Sequence, residues 1–405
     1  MKVLKLIIVT IVLACVSGFG AYYYEEKHLY TFTLLGEDTV TVNVFEEYVD
    51  PGFTATTASE DLFDHVTCSD IDTSVVGEQT RTYTLNYNNQ TQTLTRTINV
   101  VDTTPPELTI LGGDTIEWEH KKPFNDLTQY KVSDNYDQDV EVTVTNNVNV
   151  KKEGTYEETF TARDSSGNTT SLSRPVVVSK DNHVNDGVAV CMYHYLYKAD
   201  KVPQNVNANY LSVDSLNKQI NYLKKNHFYF PTFDELRAFV DGSLSLPGNS
   251  IILTFDDGLT DTLALLSEVA EKQQVPVTSF LITKNSGEKK VKKYASEYLQ
   301  FESHSHDMHH GGGTIGHGGV MTALSVEDAV KDLKTSIDIC GHANAFCYPY
   351  GDTNKSSRQA VKKAGFKVAF TTQPGQVKQG DDPYLLPRVR ISNNQTMTFF
   401  SNSVK

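Results

Sequence analysis

Cysteine is scarce here. The chain has five in 405 residues. Cys15 lies inside an apolar run, so Cys68, Cys191, Cys340 and Cys347 are left for everything after it. Four thiols so widely spread do not make a disulfide framework. Cys340 and Cys347 read as small core residues, Cys347 on a buried strand. Basic residues are also outnumbered, 36 Lys and Arg against 50 Asp and Glu, for a formal charge of −14. They form no cluster, which excludes nucleic acid as a partner because phosphate recognition needs grouped Lys and Arg. An acidic surface suits a soluble domain outside the cell. Long apolar runs are missing too, with one exception at the start.

That exception is MKVLKLIIVTIVLACVSGFGAYYYEEKH: Lys2 and Lys5, an uncharged stretch from Leu6 to Tyr24, then Glu25 and Glu26. The stretch is long enough to cross a bilayer. A cleaved signal peptide and a lipoprotein signal at Cys15 are the competing readings. No A-x-A cleavage site is evident, and the aromatic trio Tyr22–Tyr24 suits a membrane interface. Residues 1–29 are therefore expected to be a cytoplasmic tip and an uncleaved anchor.

The remaining length predicts several domains. Residues 30–180 run in short Thr-, Val- and Tyr-rich alternations such as TRTYTLNY, TLTRTINVV and VEVTVTNNV, broken by Asn, Asp and Gly turns, which is strand grammar. TLLGEDT at Thr33 returns as TILGGDT at Thr109, an offset of 76 residues. GEQTRTYTLNY from Gly77 parallels GTYEETFTARD from Gly154. Two tandem immunoglobulin-like β-sandwiches, 30–104 and 105–180, fit this repeat, with DTTPPE at Asp102–Glu107 as the hinge. The second unit resembles bacterial surface Ig-like repeats that end in a D-x-x-G-N hairpin, here Asp164, Gly167 and Asn168. A spacer role is the expectation for both.

From about Asp186 strands alternate with helical patterns: VAVCM, SVDSLNKQINYLKKN, IILTF, TDTLALLSEVAEKQQ, VTSFLI, then SVEDAVKDLKTSIDIC, AFCY, SSRQAVKKAG and KVAFTT. This is an α/β domain with parallel strands, barrel or open sheet, whose site lies at the carboxyl ends of the strands. Two motifs fall there. In IILTFDDG, Asp256 and Asp257 directly follow an apolar strand. Adjacent carboxylates repel unless a cation or proton offsets them, although a turn or N-cap role would also account for a lone DDG. In FESHSHDMHHGGG, four histidines occupy seven positions, His304, His306, His309 and His310. A solvated polar loop is the bland reading; a metal site shared with the two aspartates is the sharper one.

Three motifs in order, TFDDG (Thr254–Gly258), SHSHDMH (Ser303–His309) and FCYPYG (Phe346–Gly351), carry a family resemblance. Residues 186–405, about half the chain, resemble the polysaccharide deacetylases, carbohydrate esterase family 4 enzymes with the NodB-type distorted (β/α) barrel. With MYH at Met192–His194 and a five-residue spacing between the ligand histidines, the resemblance is to the branch acting on poly-N-acetylglucosamine. It implies that Asp257, His304 and His309 bind a divalent metal, zinc by default, with cobalt, manganese or nickel also admitted by a mixed N/O site. It further implies that Asp256 is the general base and that the Tyr350 backbone N–H helps hold the oxyanion. His306 and His310 are then supporting loop residues, and His317 belongs to a mobile lid.

Two positions depart from the family pattern. Cys347 stands where the third motif usually has arginine, and the late Leu-x-His motif that supplies the acid is missing. His194 is the candidate acid, against a satisfied core histidine. Arg388 or Arg390, in LLPRVRIS, is the candidate orienter of Asp256, against a surface ion pair. The expected function is metal-dependent de-N-acetylation of an extracellular N-acetylglucosamine glycan by a membrane-tethered monomer on a Gram-positive cell wall, with peptidoglycan or a wall-attached polymer and its linkage unit favoured on geometric grounds. The rivals are a non-catalytic wall-binding or adhesion protein on a degenerate fold, and an O-acetyl esterase.

Overall fold

The structure is a computed structural model that describes residues 30–125, 130–183 and 187–405. The anchor expected in residues 1–29 lies outside them. Among the described residues no helix is long and apolar enough to cross a membrane. The chain divides into two compact units. The first runs to Pro106 and takes in two further loops, Asp134–Asp139 and Asp164–Asn168. The second holds the rest.

In the first unit, Tyr30–Leu34 pairs antiparallel with Phe53–Thr57. A four-stranded sheet is ordered Thr39–Asn43, Gln90–Val101, Gly77–Tyr87, Val66–Cys68. Its outer strand Thr39–Asn43 is parallel to Gln90–Val101. Alternation puts one face inward: Tyr83, Leu85, Ile98 and Val100 are fully buried while their sequence neighbours are not.

The second repeat follows the same plan. Glu107–Ile110 pairs with Tyr130–Ser133, and the four-stranded sheet is ordered Glu141–Asn146, Gly154–Arg163, Thr169–Ser179, Ile116–Glu119, the last pair parallel. Matching topology at matching offsets is what the sequence repeat predicts. The second sandwich differs in where its apolar face goes. Ile116, Trp118, Val176 and Val178 pack in one core with Val188, Tyr229, Phe233 and Leu236 of the following domain.

That domain is a closed barrel of seven parallel strands: Ala189–Tyr193, Ile251–Phe255, Val277–Leu281, Leu299–Ser303, Ala345–Cys347, Val368–Pro374 and Leu386–Arg390, the last returning to the first. Five of the seven come from the apolar runs read above; the fourth ends in the FES of the histidine motif, and LLPRVRIS supplies the seventh. Both faces are covered, so the strands are near-continuous hydrophobic runs, with every residue of Ile251–Phe255 and Val277–Leu281 buried. Several of the helices begin at side-chain caps. Ser212 accepts from the Ser215 N–H, Ser325 from the Asp328 N–H, and Thr232 and Asn354 form reciprocal capping boxes with Glu235 and Ser357. Closure of the barrel brings its strand ends, and the motifs attached to them, to one rim.

Candidate active site

Asp256 leaves the second barrel strand and is buried, whereas Asp257 takes a left-handed backbone with φ 71° and Gly258 follows with φ 62°. Aspartate tolerates this conformation better than most residues, and glycine has no Cβ to oppose it. Two left-handed residues in succession reverse the chain within one step. The neighbouring carboxylates therefore face different surroundings.

Asp256 meets Arg388. The guanidinium donates from Nη1 to Oδ1 at 2.8 Å and from Nη2 to Oδ2 at 2.7 Å, the two-pronged geometry that suits a carboxylate. Its remaining donors go to the Thr371 carbonyl, the Thr254 hydroxyl and the Cys347 sulfur. Arg388 is fully buried. Burial alone would push the Asp256 carboxyl up, but the Arg388 charge and its hydrogen bonds override this and hold the group well below the usual carboxylate range. Arg390, the other candidate orienter, does not reach Asp256. It is exposed at the rim, and its Nη2 donates to Asn209.

Asp257 faces the histidines. Its Oδ1 lies 3.6 Å from His304 Nε2 and 3.5 Å from His309 Nε2, and one ligand atom from each of the three residues falls within 4.8 Å of the others. The tautomer of His304 is set from behind. Its Nδ1 is 2.8 Å from the Cys347 carbonyl, which can only accept, so the proton sits on Nδ1 and the lone pair of Nε2 points at Asp257. Burial lowers the His304 pKa and keeps it neutral, as a ligand must be. Tyr195 donates to the second oxygen, Oδ2, at 2.6 Å.

The histidine loop is not a slack polar segment. Ser305 is left-handed, φ 73°, and Asp332 accepts the N–H groups of His306 and Asp307. The Met308 N–H donates to Ser305 Oγ, and Met308 is buried. These bonds carry the chain from His304 round to His309, whose ring centroid is 4.8 Å from that of His304 and 4.4 Å from that of Tyr350. His306 and His310 turn elsewhere, to Thr283 Oγ1 and the Gly311 carbonyl. His317 is exposed on its glycine-rich loop, tied by its N–H to Asp352.

Tyr350 has φ 61° in the turn after the fifth strand, the position from which its N–H was expected to act. His194 lies near the aspartates at the end of the first strand. Burial lowers its pKa, while the charges of Asp256 and Asp257 oppose that from close by.

Two site residues escaped the sequence reading. Cys347 is no ordinary core residue, since its Sγ sits 2.9 Å from Arg388 Nη2 and 3.6 Å from Asp256 Oδ2. The missing motif arginine was the available signal: a buried carboxylate needs a cation, and a small residue at 347 leaves space for one arriving from another strand. Tyr195 was signalled only by its place beside His194.

Two imidazole nitrogens and one carboxylate oxygen fit an open, catalytic type of divalent-metal site, with Asp256 beside it ionised and oriented. Residues 244–369 match the polysaccharide deacetylase family, and residues 32–100 and 108–178 each match the Ig-like domain of bacterial surface proteins. The poly-beta-1,6-N-acetyl-D-glucosamine N-deacetylase of Staphylococcus epidermidis is 28% identical over 230 residues, spanning 50% of this chain and 78% of its own. Its Staphylococcus aureus counterpart is 25% identical over 236 residues, 54% of this chain and 77% of its own. The Escherichia coli protein of that name is 24% identical over 238 residues, 47% of this chain and 35% of its own.

Proposed function

We propose that this protein, whose residues 244–369 match the polysaccharide deacetylase family and whose residues 32–100 and 108–178 match Ig-like repeats, is a hydrolase of N-acetyl amide bonds that removes acetyl groups from N-acetylglucosamine residues of an extracellular glycan. The observation that carries the reading is the division of labour between adjacent acids. Asp257 shares a cluster with both His304 and His309, whereas Asp256, which comes within 4.8 Å of His304 and Cys347 only, has both its oxygens bound by Arg388.

In this reading Asp257, His304 and His309 hold the metal, zinc or another divalent ion that accepts N and O ligands. The metal supplies polarisation of the acetamide carbonyl and a more acidic water. Asp256 takes the proton from the attacking water; kept ionised by Arg388, it is ready to do so at any physiological pH. The Tyr350 N–H faces the developing oxyanion. His194 passes a proton to the leaving amine. Because burial favours its neutral form at rest, it would first receive the proton that Asp256 takes from the water and then hand it to the amine, which returns both groups to their starting state.

The named relatives support poly-β-1,6-N-acetylglucosamine as the first glycan to try, with peptidoglycan and wall-attached polymers beside it. An N-terminal anchor and a wall location fit a fixed glycan. Arg388 supplies the cation that the third motif lacks, which supports an intact enzyme over a degenerate binding fold.

The test is acetate release by the purified chain from poly-β-1,6-N-acetylglucosamine and from isolated Gram-positive walls, with Asp256→Asn as control. Metal-dependent release from either glycan that disappears in Asp256→Asn while its metal is retained is the expected result, together with metal loss in Asp257→Ala and His304→Ala. Faster release from O-acetylated than from N-acetylated versions of one glycan would make the protein an esterase. Binding to walls with no acetate released under any metal would leave a wall-binding protein.

A further inference from the structure

The first unit contains a second cluster of acids that the deacetylase reading does not use. Asp102 opens the DTTPPE segment, Asp137 lies in the loop Asp134–Asp139, and Asp164 opens the hairpin turn Asp164–Asn168, all within that unit. One carboxylate oxygen from each falls within 4.8 Å of the other two. Asp102 and Asp164 are each only 5% exposed.

The second observation concerns what Asp102 lacks. Its Oδ1 accepts from the Thr104 N–H at 3.0 Å and from Asn135 Nδ2 at 3.4 Å, but its Oδ2 is sealed from solvent and has no hydrogen-bond donor. Asp134 repeats the pattern next door. Its Oδ2 accepts the N–H groups of Tyr136 and Asp137, while its Oδ1 is buried with no donor. A buried anionic oxygen without a partner is strongly disfavoured, and three clustered carboxylates repel one another as well. Either a proton or a cation must resolve this.

The other two acids are held in place as ligands would be. Asp137 accepts the Ser165 N–H at 2.8 Å and the Ser165 hydroxyl on both its oxygens. Asp164 accepts the Asn168 N–H at 2.8 Å and Asn168 Nδ2 at 2.9 Å. Asn168 Nδ2 also donates to the Asp102 carbonyl, so the hairpin turn and the DTTPPE segment are pinned together around the cluster. A carboxylate that accepts such bonds keeps lone pairs for a metal.

We propose that Asp102, Asp137 and Asp164 form a calcium site. The donors are all hard oxygens with neither imidazole nor thiolate among them, which selects calcium over zinc. Three carboxylates contributed by separate loops form the flexible, oxygen-rich type of site that calcium accepts and that magnesium, demanding a tighter octahedron, does not. The D-x-x-G-N hairpin and the DTTPPE segment, read from the sequence as a repeat ending and a hinge, thereby acquire a shared ligand.

The experiment is calorimetric titration of Ca²⁺ into the purified, zinc-saturated chain, with Mg²⁺ titrated separately. One Ca²⁺ per chain is expected, with a dissociation constant in the range of about 10⁻⁴ to 10⁻³ M of extracellular calcium modules. It should weaken at least tenfold in Asp102→Asn and in Asp137→Asn, and acetate release should be retained in both. Asp137 is only half-buried, so its variant keeps the test decisive if Asp102→Asn fails to fold. His304→Ala, which strips the barrel's metal cluster, should leave the Ca²⁺ isotherm unchanged. Absence of Ca²⁺ binding at millimolar concentration, binding equal in wild type and both aspartate variants, or preference for Mg²⁺ would each overturn the proposal.

Discussion

Two arginine–carboxylate pairs are buried in the second unit, one in the sandwich and one at the barrel rim. In the sandwich, Arg174 Nε and Nη2 both lie 2.8 Å from Glu158 Oε2. Nη1 donates to the Leu111 carbonyl, and the guanidinium lies over the rings of Phe160 and Tyr229. The first repeat solves the same problem at the equivalent position. Arg96 binds the Leu35 carbonyl, lies over Tyr83 and takes Asp50 as its acid. At the rim, Arg388 and Asp256 are just as buried, yet the carboxylate also has His194 and His304 within electrostatic reach and Cys347 in contact. The bond types are alike and the neighbours differ. A buried ion pair is weak evidence of stabilisation in itself. Its role is set by whether anything beside it can react.

The strongest way to break the comparison is to remove each pair's partner. Arg388→Met should lower kcat/KM by roughly 10²- to 10³-fold, because it disorients and neutralises the base. The sign follows from the pair. Asp256 is held low by Arg388, so in the parent enzyme this carboxylate stays ionised down to strongly acidic pH and puts no limb on the rate at neutrality. Without Arg388 burial is opposed only by the smaller influence of His304 and His194, so its pKa rises and the rate should fall as pH drops from neutral toward 5. A pH–rate profile of the variant that keeps the parent's acid side would refute the role. Glu158→Gln should do the reverse. It leaves Arg174 buried beside a neutral amide, at a cost of about 3–5 kcal/mol of stability as for other broken buried pairs, visible as a lower denaturant midpoint. The rate per folded molecule should not change. A fall in kcat at a temperature where the variant is folded would mean that the sandwich communicates with the site.

Next in size is His194→Ala, expected to lower kcat about 10²-fold with metal content intact, as for loss of a proton donor. Unchanged kcat would return His194 to the role of a satisfied core residue and leave the amine to be protonated by Asp256 after it has collected the water's proton.

Legibility in the sequence followed what each element depends on. The TFDDG and SHSHDMH motifs lie within single short loops whose geometry is local, and the structure assembles them where strand-end reasoning puts them. Arg388 and Arg390 were inseparable because they are two apart on one strand, so alternation sends both to the same face. Register separates them. Arg388 lies deep enough to meet Thr371 on the adjacent strand and Thr254 one strand further round the barrel, whereas Arg390 has passed the rim. Cys347 is the buried core residue that AFCY indicated, but its polar contact was illegible because only the return of the last strand puts an arginine beside its sulfur. That Trp118 and Ile116 cover Tyr229 and Phe233 of the barrel depends on contacts between distant segments, which no local pattern carries.

The smallest expected effect sharpens the comparison at Asp257, the acid that has no arginine. Its Oδ2 is held by Tyr195 Oη at 2.6 Å, while Oδ1 faces the two histidines. A hydroxyl at that place fixes which oxygen is offered to the metal and offsets part of the cost of burying the other, as outer partners of metal ligands commonly do. Tyr195→Phe removes that one bond and keeps the ring against Tyr210. Metal affinity should drop about 10-fold, the low end of what such partners contribute. With metal in excess, kcat should return close to the parent value. Competition with a chelator of known affinity separates the two readouts. If kcat stayed low at saturating metal, Tyr195 would be acting on the substrate and not through Asp257, and the two acids at this rim would share a reactive neighbourhood instead of dividing it.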